Sequence, residues 1–242
     1  MENRTSICIN CETKTIGKYC HNCKQKTDTK RLGVAHFIQE DIIHGALHFD
    51  KGLLFTLKEI LLRPAVVAQN YIQGKRARYY NFFYLSLILI GFTILLKPLK
   101  ESPIPTSNNP NYLESMQFAA KNIKFILLSF IPFFALSSRI VYRKVRYNFA
   151  EHAIIASICV VYFLLYNLAS DVMTIVGLKK VFDPILTLLI NFVVVYIYYQ
   201  TFKEFYQNRK YINFINALLT LALFLILFVL MVSIIVFIIT YK

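Results

Sequence analysis

The chain has 242 residues, of which 57% are hydrophobic and 17% charged, with a mean hydropathy of +0.50 and a formal net charge of +14. A soluble globular domain carries about 25% charged residues. Here the deficit falls in long apolar runs, which excludes an ordinary soluble enzyme and defines an integral membrane class. Most of the cations flank those runs or sit in the N-terminal third, where they meet lipid headgroups or set topology rather than cover nucleic acid.

Residues 1–30 read as a small metal-binding module. Cys8, Cys11, Cys20 and Cys23 follow the spacing C-x2-C-x8-C-x2-C. Two thiolates separated by two residues bind one ion from a tight turn, and a second such turn completes a tetrahedral site. The segment is too short to bury a core, so one structural Zn2+ per chain is expected to supply most of its folding energy. Two disulfides are the competing reading, and they require an oxidising compartment. His21 lies inside the second turn and is a spare ligand, and Gly17 suits the reversal between the pairs. A closed four-thiolate site has no open position for substrate, so its expected role is structural. Cys159 stands alone in an apolar run and reads as a small buried residue. The first 30 residues contain no apolar signal region.

Residues 31–78 read as amphipathic juxtamembrane helices. Ala35, Ile38, Ile42, Ala46 and Phe49 recur at helical steps, and His36, Glu40, His44 and His48 share the opposite face. That polar face either lies among headgroups or holds a second metal; the headgroup reading is favoured. Asp50 is the expected N-cap of the next helix, Pro64 the first residue of another, and Gly74 its stop. Lys75, Arg76 and Arg78 then form a basic cluster suited to anionic headgroups.

Residues 79–242 read as a transmembrane bundle, with five spans near 80–98, 123–142, 153–175, 184–202 and 217–240. Pro132 interrupts the second, and residues 97–115 are expected to be an irregular loop. The third and fourth spans should form an antiparallel hairpin. Within the spans, Asp171 with Asn167 on the same face, and Asn191 opposite, are the candidate polar groups; Glu151 and His152 stand at the inner mouth of the third. For all of these, hydrogen-bonded packing is favoured over catalysis. Tyr196, Tyr198 and Tyr199 form an aromatic belt near the inner end of the fourth span. With a cytoplasmic N-terminus, 20 of the 27 cations lie on the inner side and seven on the outer, so the C-terminus is expected outside.

The order of motifs carries a resemblance. The cysteine pairs, then "FDKGLLFTLKEILLRP" and "YIQGKRARYYNFFYL", resemble a bacterial family of uncharacterised multi-pass membrane proteins with an N-terminal zinc ribbon. The matching positions over residues 8–96 are the four cysteines and Asp50, Gly52, Thr56, Pro64, Tyr71, Gly74, Lys75 and Arg76. The resemblance implies an inner-membrane protein and no particular activity.

The expected protein is therefore all-α, a five-span helical bundle with a cytoplasmic zinc ribbon, with a non-enzymatic role favoured over an enzymatic one. The ribbon should serve as a docking or regulatory module for a protein partner; nucleic acid ranks last as its ligand. A small transporter or a membrane-embedded metal-dependent enzyme is the alternative.

Overall fold

The computed structural model describes residues 5–27, 33, 52–99 and 110–240. The His36, Glu40, His44 and His48 face and the Asp50 cap lie outside the described residues. Among those described, the N-terminal module holds strands β1 (Thr5–Ile7) and β2 (Lys14–Ile16). The rest is helical: α1 (Gly52–Leu62), α2 (Pro64–Ile72), α3 (Phe82–Leu96), α4 (Pro110–Val141), α5 (Phe149–Ile175), α6 (Lys179–Thr201) and α7 (Lys210–Thr240).

Helices α1 and α2 form a sharp hairpin around Arg63. Pro64 takes the first position of α2, as its fixed φ and missing N–H dictate. The same missing N–H deprives the Ile60 carbonyl of its helical donor. Tyr162 of α5 replaces it, its phenol donating to the Ile60 oxygen at 2.6 Å and the Leu61 oxygen at 2.9 Å. Tyr162 lies 13 residues into α5, about 20 Å of axial rise from its start, so the elbow reaches well down the bundle. At its other end α2 closes with Gly74 at φ +99°, where Gly74 N–H donates to Tyr71 O and Lys75 N–H to Asn70 O. This 5→2 and 6→1 pair needs a left-handed residue, which explains the glycine. Gln69 donates to the Thr201 carbonyl at the end of α6, so the mouth of the hairpin sits at that end of the bundle. We expect Tyr162→Phe to cost about 1–3 kcal/mol, the usual cost of an unsatisfied buried acceptor, measurable as a lower unfolding midpoint in detergent.

Helix α5 is the centre of the bundle, packing on α2, α3, α4 and α6. Every residue from Ala150 to Val161 is buried, as expected of a helix that is apolar all round. Its start is fixed by a capping box: Glu151 N–H donates to Asn148 Oδ1 at 2.9 Å, and Asn148 N–H to Glu151 Oε2 at 2.8 Å. Ile60, Val67 and Ala68 of the hairpin share one core with Leu85, Phe134, Ile155, Ile197 and Phe224.

Among the described residues three helices are long and apolar enough to cross a membrane: Lys121–Val141, Phe149–Ile175 and Lys210–Ile238. The expected first span corresponds to a shorter apolar helix, Phe82–Leu96, whereas the expected fourth lies within the 23-residue α6, Lys179–Thr201. The first of these runs into a 3-10 turn at Lys97–Leu99. Fifteen residues rise only about 22 Å, short of a bilayer core of about 30 Å. The loop expected over 97–115 is also shorter, because α4 already begins at Pro110 and continues through Pro132. The turn between α5 and α6 is tighter than expected, with Gly177 at φ +79° closing α5 and Pro184 lying inside α6.

Candidate metal centre

The two cysteine turns are built alike, twelve residues apart. Cys8 N–H donates to Thr13 O and Glu12 N–H to Cys8 O; likewise Cys20 N–H donates to Gln25 O and Lys24 N–H to Cys20 O. In each turn the residue after the second cysteine is left-handed, Glu12 and Lys24 both at φ 60°. That geometry lets the turn's backbone fold back so that two thiols face one point. The strands β1 and β2 pair antiparallel with Ser6 opposite Thr15, which fixes the first turn between them. Gly17, at φ +106°, starts the reversal toward the second.

The four sulfur atoms lie within 4.8 Å of one another, with Cys8 to Cys23 and Cys11 to Cys20 each at 3.5 Å. A tetrahedral ion held by four thiolates at about 2.3 Å sets its ligands about 3.8 Å apart, so the set fits a divalent metal. None of the five cysteines is in a disulfide. Cys8 and Cys20 are 2% and 1% exposed, whereas His21 is exposed and outside the cluster.

The thiols differ in their readiness to bind. The Thr13 hydroxyl and backbone beside Cys11 lower its pKa to about 6, whereas burial raises that of Cys8 to about 11. At neutral pH Cys11 is a thiolate and Cys8 keeps its proton, which a metal must displace. Metal binding to the stripped protein at pH 7 should therefore release protons, and the metal's affinity should fall as the pH is lowered. A pH-indicator titration on adding zinc checks this; no proton release would contradict it.

The second turn also holds the ribbon to the helical body. Gln25 is 6% exposed, and its side-chain Oε1 accepts from the backbone N–H groups of Arg76 at 3.2 Å and Ala77 at 2.8 Å. Its backbone oxygen meanwhile receives Cys20 N–H, so one residue closes a metal turn and grips the loop after α2. In that loop Arg76 is turned inward, its Nε donating to Tyr71 O at 3.4 Å and its guanidinium 5.7 Å from the Tyr71 ring. Sequence reasoning missed Gln25, because a glutamine in a lysine-rich run carries no periodic signal.

The other polar candidates do not converge. Asn167 donates to Phe163 O and Asn191 to Thr187 O, each within its own helix. The α5–α6 link comes instead from Tyr166 and Thr187, whose hydroxyls are 2.9 Å apart. Glu151 serves the capping box, and the buried His152 pairs its Nδ1 with Ser138 Oγ at 2.8 Å. Cys159 is fully buried. Tyr198 joins the core, its ring 6.3 Å from that of Phe134 and inclined to it by 26°.

The fold and site define a helical protein with membrane-length helices and an N-terminal four-cysteine ribbon. Residues 50–92 match the family described as Protein of unknown function (DUF3667). The match covers α1, α2, the loop gripped by Gln25 and most of α3; the ribbon lies outside it. No curated protein and no solved structure matches the chain.

Proposed function

We propose that the chain is a five-span inner-membrane protein of bacterial type, with a cytoplasmic N-terminus, whose ribbon carries one structural zinc and acts as a docking or regulatory module. The observation that carries this reading is the Gln25 contact. It couples a metal-dependent fold directly to the loop at the mouth of the α1–α2 hairpin. In the bilayer that hairpin is re-entrant: Tyr162 and the core cover its elbow, which is how lipid-depth backbone is tolerated. The short helix Phe82–Leu96, with local thinning or flanking turns, and the 23-residue α6 complete the five crossings. Cation placement sets the ribbon on the reducing side, where thiolates persist. The ribbon is too small to work alone, and its exposed Ile7, Ile9, Ile16 and Tyr19 offer apolar area to a protein partner.

The test is Gln25→Ala in the full-length protein. Zinc should stay at one per chain, because no sulfur ligand is removed. Losing the acceptor for two backbone N–H groups should cost the docked state about 1–3 kcal/mol, seen as faster tryptic release of the ribbon. Unchanged proteolysis would remove the coupling from the proposal. Labelling of the ribbon thiols from outside intact cells, after zinc chelation, would overturn the topology.

A further inference from the structure

A cavity of about 630 Å³ opens between the turn that follows α4 and the segment that joins α6 to α7. Arg143, Lys144 and Arg209 line it together with Tyr206, Asn208 and Asn216; Glu204 is the one acidic group in its lining. Its inner wall includes the buried Val145 and the half-buried Ile212. Behind it, Tyr142 ties the two sides together, its hydroxyl donating to Asn213 Oδ1 at 3.1 Å. The cavity is thus framed by fixed helix ends rather than by free loops.

Three cations around one cavity repel one another, and an anion relieves that repulsion. Among the described residues, none of the three has an ion pair or a side-chain hydrogen bond. The N-terminus of the long helix α7 borders the same space through Arg209 and Ile212, and its helix dipole adds to the positive field. Asn208, Asn216 and Tyr206 supply neutral hydrogen-bonding groups beside the charges.

What adjoins the cavity identifies the anion's source. The first turns of α7 expose Tyr211, Phe214, Ile215, Leu218 and Leu219, each between 45% and 68%. A soluble phosphate has no use for such a face. A lipid does, because its chains lie along the apolar helix while its headgroup enters the basic pocket. We propose that this cavity binds the phosphate headgroup of an anionic phospholipid. The site is separate from the ribbon and from the Lys75, Arg76 and Arg78 cluster, and it rests on the bilayer placement above.

The test is native mass spectrometry of the full-length protein in neutral detergent, titrated with phosphatidylglycerol, phosphatidylcholine or inorganic phosphate. One phosphatidylglycerol should be retained in preference to phosphatidylcholine. The triple variant Arg143→Gln, Lys144→Gln, Arg209→Gln should weaken it by about a hundredfold, from roughly a factor of five per cation. Lys121→Gln with Lys124→Gln should leave it unchanged. Crosslinking of a photoactivatable phosphatidylglycerol to the wild-type chain gives a readout independent of variant folding, with labels expected in residues 141–145 and 206–216. Equal retention of phosphatidylcholine, displacement by equimolar inorganic phosphate, or labels confined elsewhere overturns the site. Membrane fractionation of the cells tests the bilayer placement separately, so the two failures are distinguishable.

Discussion

Replacing Cys20 with serine is expected to abolish metal binding and unfold residues 5–27 while leaving the helical bundle intact. The ribbon has two strands of three residues each and almost no core beyond Cys8, Thr15, Cys20 and Gln25. Structural zinc sites contribute about 10–16 kcal/mol of apparent binding energy at neutral pH, far more than such a segment gains from burial. Serine keeps the shape but is a poor ligand, so three thiolates remain around an incomplete tetrahedron. The effect should end at the Gln25 contact. The hairpin elbow is held by Tyr162 and the end of α2 by its own Gly74 turn, and neither uses the ribbon. Elemental analysis should fall from one zinc per chain to none, while hydrogen exchange rises in residues 5–27 and stays low in α5. Retained zinc would remove Cys20 from the ligand set. Collapse of the whole bundle would mean that the ribbon is part of the core rather than attached to it.

What was legible in the sequence was local. The C-x2-C spacings, Pro64 at a helix start and Gly74 at a helix stop each follow from the backbone demands of a few neighbouring residues. The left-handed Glu12 and Lys24 were hidden because glycine, the usual marker of that conformation, is absent from both turns. The Gln25 grip spans 51 residues to Arg76, and the Tyr162 anchor about 100 to Leu61, with no periodic pattern to announce either. The hairpin's depth was equally hidden: an amphipathic stripe reads the same on a headgroup surface and inside a bundle. Span lengths were overestimated where apolar composition continues past the helix. Leu99 is apolar, but the 3-10 turn over Lys97–Leu99 has already ended α3.

Helix α7 hid its packing face for a related reason, and this yields the second large expectation. Its 31 residues are so uniformly apolar that hydropathy cannot separate a protein face from a lipid face. Among its described residues only Asn213, Ala217, Thr220 and Phe224 are buried, at steps of four, three and four, so α7 rests on α4 and α6 along one narrow seam. Small and polar residues bring the backbones close at one end of that seam, and Phe224 closes the middle. Its ring stacks on Phe134 at 3.6 Å and 7°, and meets Phe130 edge-on at 5.3 Å. In water, Phe→Ala in a core costs about 3–5 kcal/mol. In lipid the exposed reference is as apolar as the core, so the transfer part vanishes and the packing part remains. Two aromatic contacts at about 0.5–1.5 kcal/mol each give an expected loss of roughly 1–3 kcal/mol for Phe224→Ala. Ile226→Ala, two residues on and 57% exposed, removes a lipid-facing side chain and should cost almost nothing. Circular dichroism melts of both variants in the same detergent decide the matter. If Ile226→Ala destabilises as much as Phe224→Ala, the outer face of α7 is packed against protein rather than lipid, and a second chain covers it.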